Sequence, residues 1–442
     1  MGIIIMESKR ITLRRALRTM ELFALGYSDV SSTYYFSMGV IALYSGSSLP
    51  VVMLLGSIPL WVAGLTYAEL GSAIPEAGGA YYYIRHELGR VTGFIAGWLL
   101  DFDQILMVSY GAVGFTGYLS VLIESLRVWP VNVALSLIII WALAIINIIG
   151  IKPSARLNLA LVAIDLIGIM SLVTFGAYTI IHQQYHVGFN ISLTIPAIGL
   201  AYALRGYTGI DVIAQSAGET LLPWRSIPRS IITVCVLSTI VALALSAIVS
   251  YSGLTQYIAR NLSDPLGALA VGLFSHGLLS IYISLSIALV MLLSVNAGIV
   301  DYSRSIYSMS NDSLLPRQLA LIHPKFRTPY LSIITASLVA SLFVLSNDVE
   351  LIVGSYGIAS MITYSLAVLA LIKFKLSNKP SGFQTPTIRM GDLKIPVLAL
   401  IGLPIFTAAI ILELIYKPQY ALPVTVWLMM GLILLSLMRS IK

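Results

Sequence analysis

The feature that most constrains this chain is a succession of about twelve windows, each of roughly 20 apolar residues, the length at which a helix crosses the hydrocarbon of a bilayer. They begin near Leu22, Val51, Val91, Val131, Ala155, Ile195, Ile231, Ser280, Tyr330, Leu351, Ile395 and Ala421. Inside lipid every backbone N–H and C=O must find its partner within the protein, so windows of this length read as helices and the chain as an all-α polytopic membrane protein. With 58% hydrophobic and 10% charged residues and a mean hydropathy of +0.92, it cannot be arranged as a water-soluble globule. The single cysteine, Cys235, excludes an internal disulfide. No His/Cys cluster has metal-ligand spacing, and no set of nucleophile, base and orienting group stands out. No enzyme activity and no cofactor are expected.

The opening "MGIIIMESKRITLRR" has too short an apolar run before its charges for a cleavable signal peptide, and Met6 competes with Met1 as the start. Residues 1–20 read as a cytoplasmic tail. An even number of spans puts both termini on one side, and the charges test this independently. Of the 26 Lys and Arg, Arg127, Arg260 and Lys417 fall on the far side and Arg205 within a span, which leaves 22 on the N-terminal side. That asymmetry places both termini in the cytoplasm of a plasma-membrane protein. The net charge of +7 therefore reflects topology, and nucleic acid is not an expected partner.

Two spans are interrupted by polar and small residues: the first at "YSDVSSTYY", residues 27–35, and the sixth at "LRGYTGID", residues 204–211. They lie five spans apart. Matching interruptions in two five-span halves are the pattern of an inverted-repeat transporter, in which unwound backbone binds substrate and ion near the midplane. The expected architecture is a 5+5 inverted repeat, residues 21–182 and 193–376, with discontinuous helices 1 and 6, and two peripheral helices within 395–442. The plainer reading is that Gly206 and Gly209 permit close helix packing and that Ser31 and Thr33 bond back to their own helix.

Three segments, in order, carry a resemblance. "YAELGSAIPEAGGAYYYIRHELGRVTGFIAGW" spans residues 67–98, "YTGIDVIAQSAGETLLPWRSIPRS" residues 207–230, and "SVNAGIVDYSRSIYSMSNDSLLP" residues 294–316, the last followed by "HPKFRTPYLS". With Glu69, Pro75, Gly78, Gly79, Tyr81, Gly93, Gly97, Trp98, Glu219, Pro223 and Pro228 at the family's spacing, the chain resembles the amino acid, polyamine and organocation superfamily of permeases from its first span to about its tenth. Residues 76–90 fit a short amphipathic segment at the inner surface. Pro223 and Pro228 cannot continue a helix and are expected to end the sixth span.

The resemblance implies a secondary active transporter that moves an amino acid or related amine by alternating access, coupled to H+ or Na+. It places the substrate against Ser31, Ser32, Thr33, Tyr207, Thr208 and Gly209. Residues 30–35 stand where relatives have a glycine-containing break whose amides receive a carboxylate; here both glycines are absent. Asp29 suits an amino group, a cation or a proton. Asp165 stands where many proton-linked relatives carry a lysine and sodium-coupled proteins of the same fold hold the ion. Either Na+, shared with Ser294 and first-span carbonyls, or a proton is expected there, the cation being favoured; Asp29 and Asp103 are the other coupling candidates. Arg205 must be kept in the membrane by an acidic partner, Asp211 or Asp29 being nearest, while Glu413 reads as a solvated end group. The competing classes are an inorganic-ion carrier of the same fold and a non-transporting amino acid sensor.

Overall fold

A computed structural model describes residues 15, 17–76, 78–150, 155–182, 195–390 and 393–440. The alternative starts Met1 and Met6, most of the 1–20 tail, Lys152 and residues 193 and 194 lie outside the described residues. The fold is helical almost throughout. In chain order the helices are α1 (Thr19–Ser45), α2 (Leu49–Gly56), α3 (Ile58–Ala73), α4 (Gly79–Leu88), α5 (Arg90–Leu119), α6 (Val131–Ile149), α7 (Ala155–His182), α8 (Ala197–Leu204) and α9 (Asp211–Gln215). They continue as α10 (Pro223–Tyr251), α11 (Thr255–Ala259), α12 (Pro265–Phe274), α13 (Leu278–Asn311), α14 (Tyr330–Leu345), α15 (Val349–Leu376), α16 (Val397–Tyr416) and α17 (Ala421–Ser440). Strands β1 (Thr387–Met390) and β2 (Leu393–Pro396) pair as an antiparallel hairpin between α15 and α16.

Nine helical stretches among the described residues are long and apolar enough to cross a membrane. The first, Thr19–Ala73, holds both α1 and the α2–α3 pair, which part where Gly46 takes a φ of +54° that side chains rarely tolerate. α10 opens earlier than the apolar window suggests. Pro223 supplies its first residue, where a missing N–H costs nothing, and Pro228 sits inside the helix rather than ending a span.

α1 runs through the middle of the bundle, packed against α7, α8, α9, α10 and α13, and every residue from Gly26 to Ala42 is buried. The outer helices instead show apolar side chains outward: Ile138 on α6 is 62% exposed, Ile181 on α7 72% and Leu342 on α14 60%. Such a surface belongs against lipid tails rather than water. α17 is fastened to α5 by a reciprocal clasp. Trp98 Nε1 donates to the Trp427 carbonyl and Trp427 Nε1 to the Trp98 carbonyl, each at 2.7 Å, and the rings stack at 4.5 Å.

Charged groups fasten both ends. At the end where α1 begins, Arg85 pairs with Asp312, Arg304 with Glu219 at 3.2 Å, Lys375 with Glu69 at 2.5 Å and Lys379 with Glu87 at 2.8 Å. At the opposite end Glu350 accepts from Tyr44, Tyr202, Lys417 and Tyr420. There too Arg127 holds Asp264 at 2.9 Å in the loop before α12. Burial pushes the Asp264 carboxyl up to about 7 against the pull of Arg127.

Candidate functional site

The interruption expected in the sixth span is present. α8 stops at Leu204 and α9 starts at Asp211, and the backbone between them turns through Gly209 at a φ of +107°. This turn is pressed onto α1: a Cβ at position 209 would lie 2.8 Å from the Asp29 carboxyl carbon. Only glycine meets both demands, the left-handed dihedral and the lack of room.

The interruption expected in the first span is absent. α1 is helical from Thr19 to Ser45, and its hydroxyls explain why it holds. Ser31 Oγ donates to the Ser28 carbonyl at 3.4 Å, Ser32 Oγ to that of Asp29 at 2.8 Å, and Thr33 Oγ1 to that of Asp29 at 3.2 Å. Back-bonding of this kind lets polar side chains sit in an apolar helix without freeing its backbone. With no glycine between Tyr27 and Met38, α1 shows no unwound segment whose amides could receive a carboxylate.

Instead, a knot of hydroxyls ties α1 to the broken span. Thr33 Oγ1 lies 3.3 Å from the Thr208 carbonyl, 3.2 Å from the Tyr110 hydroxyl and 3.2 Å from the Tyr356 hydroxyl. Ser32 Oγ meets the Tyr110 hydroxyl at 3.1 Å, and Thr208 Oγ1 donates to the Tyr356 hydroxyl. Beside the knot stand three carboxylates, each at most 3% exposed: Asp29, Asp103 and Asp211. Asp103 accepts from Ser360 Oγ at 2.8 Å. Asp211 Oδ2 accepts from Gln215 at 2.9 Å and Gln104 at 3.4 Å. Both oxygens of Asp29, Oδ1 of Asp211 and Oε1 of Gln104 have no partner among the described residues. The surplus is therefore one of acceptors. In a dry interior such atoms favour a donor, and above all a cationic one.

Arg205 corrects two expectations. Its guanidinium turns away from Asp29 and Asp211, donates to the Gly354 carbonyl at 2.8 Å, and pairs with Glu413 on α16. It also lies 4.0 Å over the Tyr202 ring, a favourable seat for a desolvated cation. Glu413 is thus the buried counter-ion of Arg205, 4% exposed, and no solvated end group. The physical reason lies at Gly357 on α15, where the missing side chain leaves a channel filled by the arginine stem.

Other expected residues are dispersed. Tyr207 donates to the Met53 carbonyl at 3.0 Å and leans against Tyr34, the ring centroids 5.6 Å apart, so it braces α2 rather than facing Asp29. Asp165 is fully buried and accepts from the Tyr35 hydroxyl at 2.9 Å. Ser294 does not join it: its hydroxyl donates to the Met291 carbonyl at 2.8 Å and faces Gly111 on α5. The carbonyls of α1 expected to share a cation with Asp165 lie within an unbroken helix.

Sequence reasoning missed Tyr110, Gln104, Tyr356 and Ser360. The signal was there in outline, since Tyr356, Ser360 and Tyr364 recur every fourth residue of one apolar span, which puts them on one helix face.

The comparisons with known proteins agree with this frame. A family model described as amino acid permease matches residues 17–438. The chain is 25% identical to the branched-chain amino acid permease BcaP of Bacillus subtilis (strain 168), covering 96% of this chain and 92% of that protein. It is 26% identical to the methylthioribose transporter of the same organism over 96% and 91%, and 27% identical to its serine/threonine exchanger SteT over 69% and 70%. Matched along nearly its whole length, this integral membrane protein belongs to the amino acid permease family.

Proposed function

We propose that the protein is a secondary active transporter that carries an amino acid or a related amine across the plasma membrane by alternating access, coupled to H+ or Na+. Its twelve spans would be α1, α2–α3, α5, α6, α7, α8–α9, α10, α13, α14, α15, α16 and α17. The first ten form two five-helix repeats, residues 21–182 and 193–376; the last two fall within 395–442, and both termini face the cytoplasm. The observation that carries the reading is the broken α8–α9 span lying against Asp29. Irregular backbone at membrane depth is tolerable where it borders a binding cavity, and here it borders carboxylate oxygens without partners among the described residues.

In this reading the ammonium of the substrate is held by Asp29 and Asp211, with Asp103 and Gln104 beside them. The hydroxyls of Ser32, Thr33, Tyr110 and Tyr356 provide neutral hydrogen bonds, and Ser31, Thr208 and Gly209 shape the wall. Tyr207 holds the broken span to α2. The polar clusters at the two bundle ends act as the gates: Glu350 with its donors on one side, Arg85–Asp312 and Arg304–Glu219 on the other. Opening one while the other stays shut exposes the site to each face in turn.

The deciding experiment is exchange of labelled amino acids and amines across sealed proteoliposomes. Saturable counterflow supports the reading. A ligand that stabilises the protein yet never crosses the vesicle wall would make it a sensor instead.

A further inference from the structure

We propose that Arg205 and Glu413 are a positioning pair for the substrate site: joined, they set where the turn between α8 and α9 meets Asp29, so that α16, outside the two repeats, is a working part of the site. The proposal rests on the transport reading above and adds to it a control of affinity seated away from the substrate.

The turn depends on side-chain anchors because its backbone leaves the helical ladder. α8 ends at Leu204 with Arg205 as its cap, and α9 begins at Asp211. Two glycines press the turn onto α1: a Cβ at position 206 would lie 3.0 Å from Ile41 Cδ1, and one at 209 would lie 2.8 Å from the Asp29 carboxyl carbon. So close an approach leaves little slack. Tyr207 holds the turn to the Met53 carbonyl and Thr208 holds it to the Tyr356 hydroxyl, while Arg205 anchors its upstream end.

Of these anchors Arg205 reaches farthest. Its stem fills the groove left by Gly357 on α15, and one guanidinium nitrogen both donates to the Gly354 carbonyl at 2.8 Å and pairs with Glu413 on α16. The end of α8 is thereby fastened to α15 and α16 at once. The Tyr202 ring lies 4.0 Å beneath the guanidinium, and its hydroxyl donates to Glu350 at 3.2 Å. The arginine therefore also abuts the polar cluster at that end of the bundle.

The use of charge here separates positioning from mere fastening. Glu413 is the one charged residue of α16, and both partners are at most 4% exposed. Apolar packing would join the same helices without desolvating two charges, and exchanging a buried ion pair for apolar side chains of similar volume often leaves stability unchanged or raised. What the pair adds is a single geometry. A planar guanidinium offers its donors in a fixed fork, so the carbonyl and the carboxylate are met together in one register of α8 against α15 and α16. Gly209 follows only four positions after Arg205, and a slip of α8 passes directly to the contact with Asp29.

The test uses the full-length protein in sealed proteoliposomes with a labelled substrate identified by counterflow of the parent. It reads the half-saturation concentration, the maximal rate per folded protein and the melting midpoint. Arg205→Met combined with Glu413→Leu removes both charges together and should melt near the parent, yet its half-saturation concentration should rise about tenfold or more, since a misplacement of about 1 Å can cost on the order of 100-fold in function. Arg205→Lys keeps the charge but loses the fork, and should raise that concentration by a smaller factor. A folded double variant with the half-saturation concentration of the parent would reduce the pair to a fastening and overturn the proposal; so would a change confined to the maximal rate. If the double variant does not fold, Arg205→Lys and Glu413→Gln decide by the same readout, and failure of all three to fold overturns it as well. Absence of counterflow in the parent overturns the transport reading itself, a different failure.

Discussion

Glu350 gathers four donors, from Tyr44, Tyr202, Lys417 and Tyr420, whereas Asp29, buried deeper in the same bundle, has none among the described residues. The contrast extends to their surroundings. Towards α15 and α16, Arg205 is matched by Glu413 and a carbonyl and covered by an aromatic ring; beside α1, three carboxylates pair with no basic residue among the described ones. Charge that is matched within the protein serves to hold helices together. Charge left unmatched among the described residues, in a fold that matches it elsewhere, suits the role proposed for Asp29 in holding a substrate that is bound and released.

The comparison breaks most completely at Gly209. Gly209→Val, strained in dihedral and pressed onto Asp29, should lower the melting midpoint and abolish substrate binding and counterflow in the protein that still folds; a variant that binds as the parent does would remove the site from the α8–α9 break. Next in size is the matched pair. Glu413→Ala leaves a buried guanidinium without its counter-ion, which costs about 3–5 kcal/mol and should lower the melting midpoint sharply. Asp29→Asn, in contrast, removes a buried charge that has no partner among the described residues, so it should leave the melting midpoint unchanged or raise it while uptake is lost. Equal destabilisation by the two variants would erase the distinction between matched and unmatched charge.

A third probe lies in the loop before α12. The folded protein keeps a proton on Asp264 up to about 7, from a reference value of 3.8, and the unfolded chain releases it near the latter. Stability from this group is therefore full below about pH 4 and is lost as pH rises towards 7. Melting followed from pH 4.5 to 8 should fall by an amount on the order of 2 kcal/mol that Asp264→Asn removes; an unchanged slope in that variant assigns the pH dependence to other groups. The smallest effect is expected at Tyr207. Removing its hydrogen bond to Met53 in Tyr207→Phe should cost about 1 kcal/mol and leave uptake nearly intact. A large loss of uptake would return Tyr207 to the substrate wall.

Much of the frame was legible because it is written in runs. Apolar windows marked the positions of the helices, and the left-handed glycine at 209, with Gly206 and Arg205 beside it, marked the break in the sixth span. The same kind of reading failed at α1, where Asp29, Ser31, Ser32 and Thr33 look like an interruption. Polarity interrupts a helix only when its backbone bonds are surrendered, and back-bonding hydroxyls surrender none. Arg205 was assigned the wrong partner for a related reason: Asp211 is six residues away in sequence, but the guanidinium follows the groove at Gly357 to Glu413, 208 residues distant. Long-range pairing of this sort is decided by helix packing, which no local window contains. The four residues missed at the site share that property, since Tyr110 and Tyr356 acquire their roles only where α5 and α15 meet α1.

The clasp between Trp98 and Trp427 carries a consequence for biosynthesis. Its halves are 329 residues apart, so a ribosome adding 5–20 residues per second takes on the order of 15–60 s to supply the second after the first. Through that interval the indole N–H of Trp98 waits in the bilayer without the Trp427 carbonyl that α17 will bring. The last helix thus closes a position opened early in synthesis. A chain cut short before α17 would leave α5 with an indole donor facing lipid, a recognisable mark of an unfinished molecule for the quality control of the membrane.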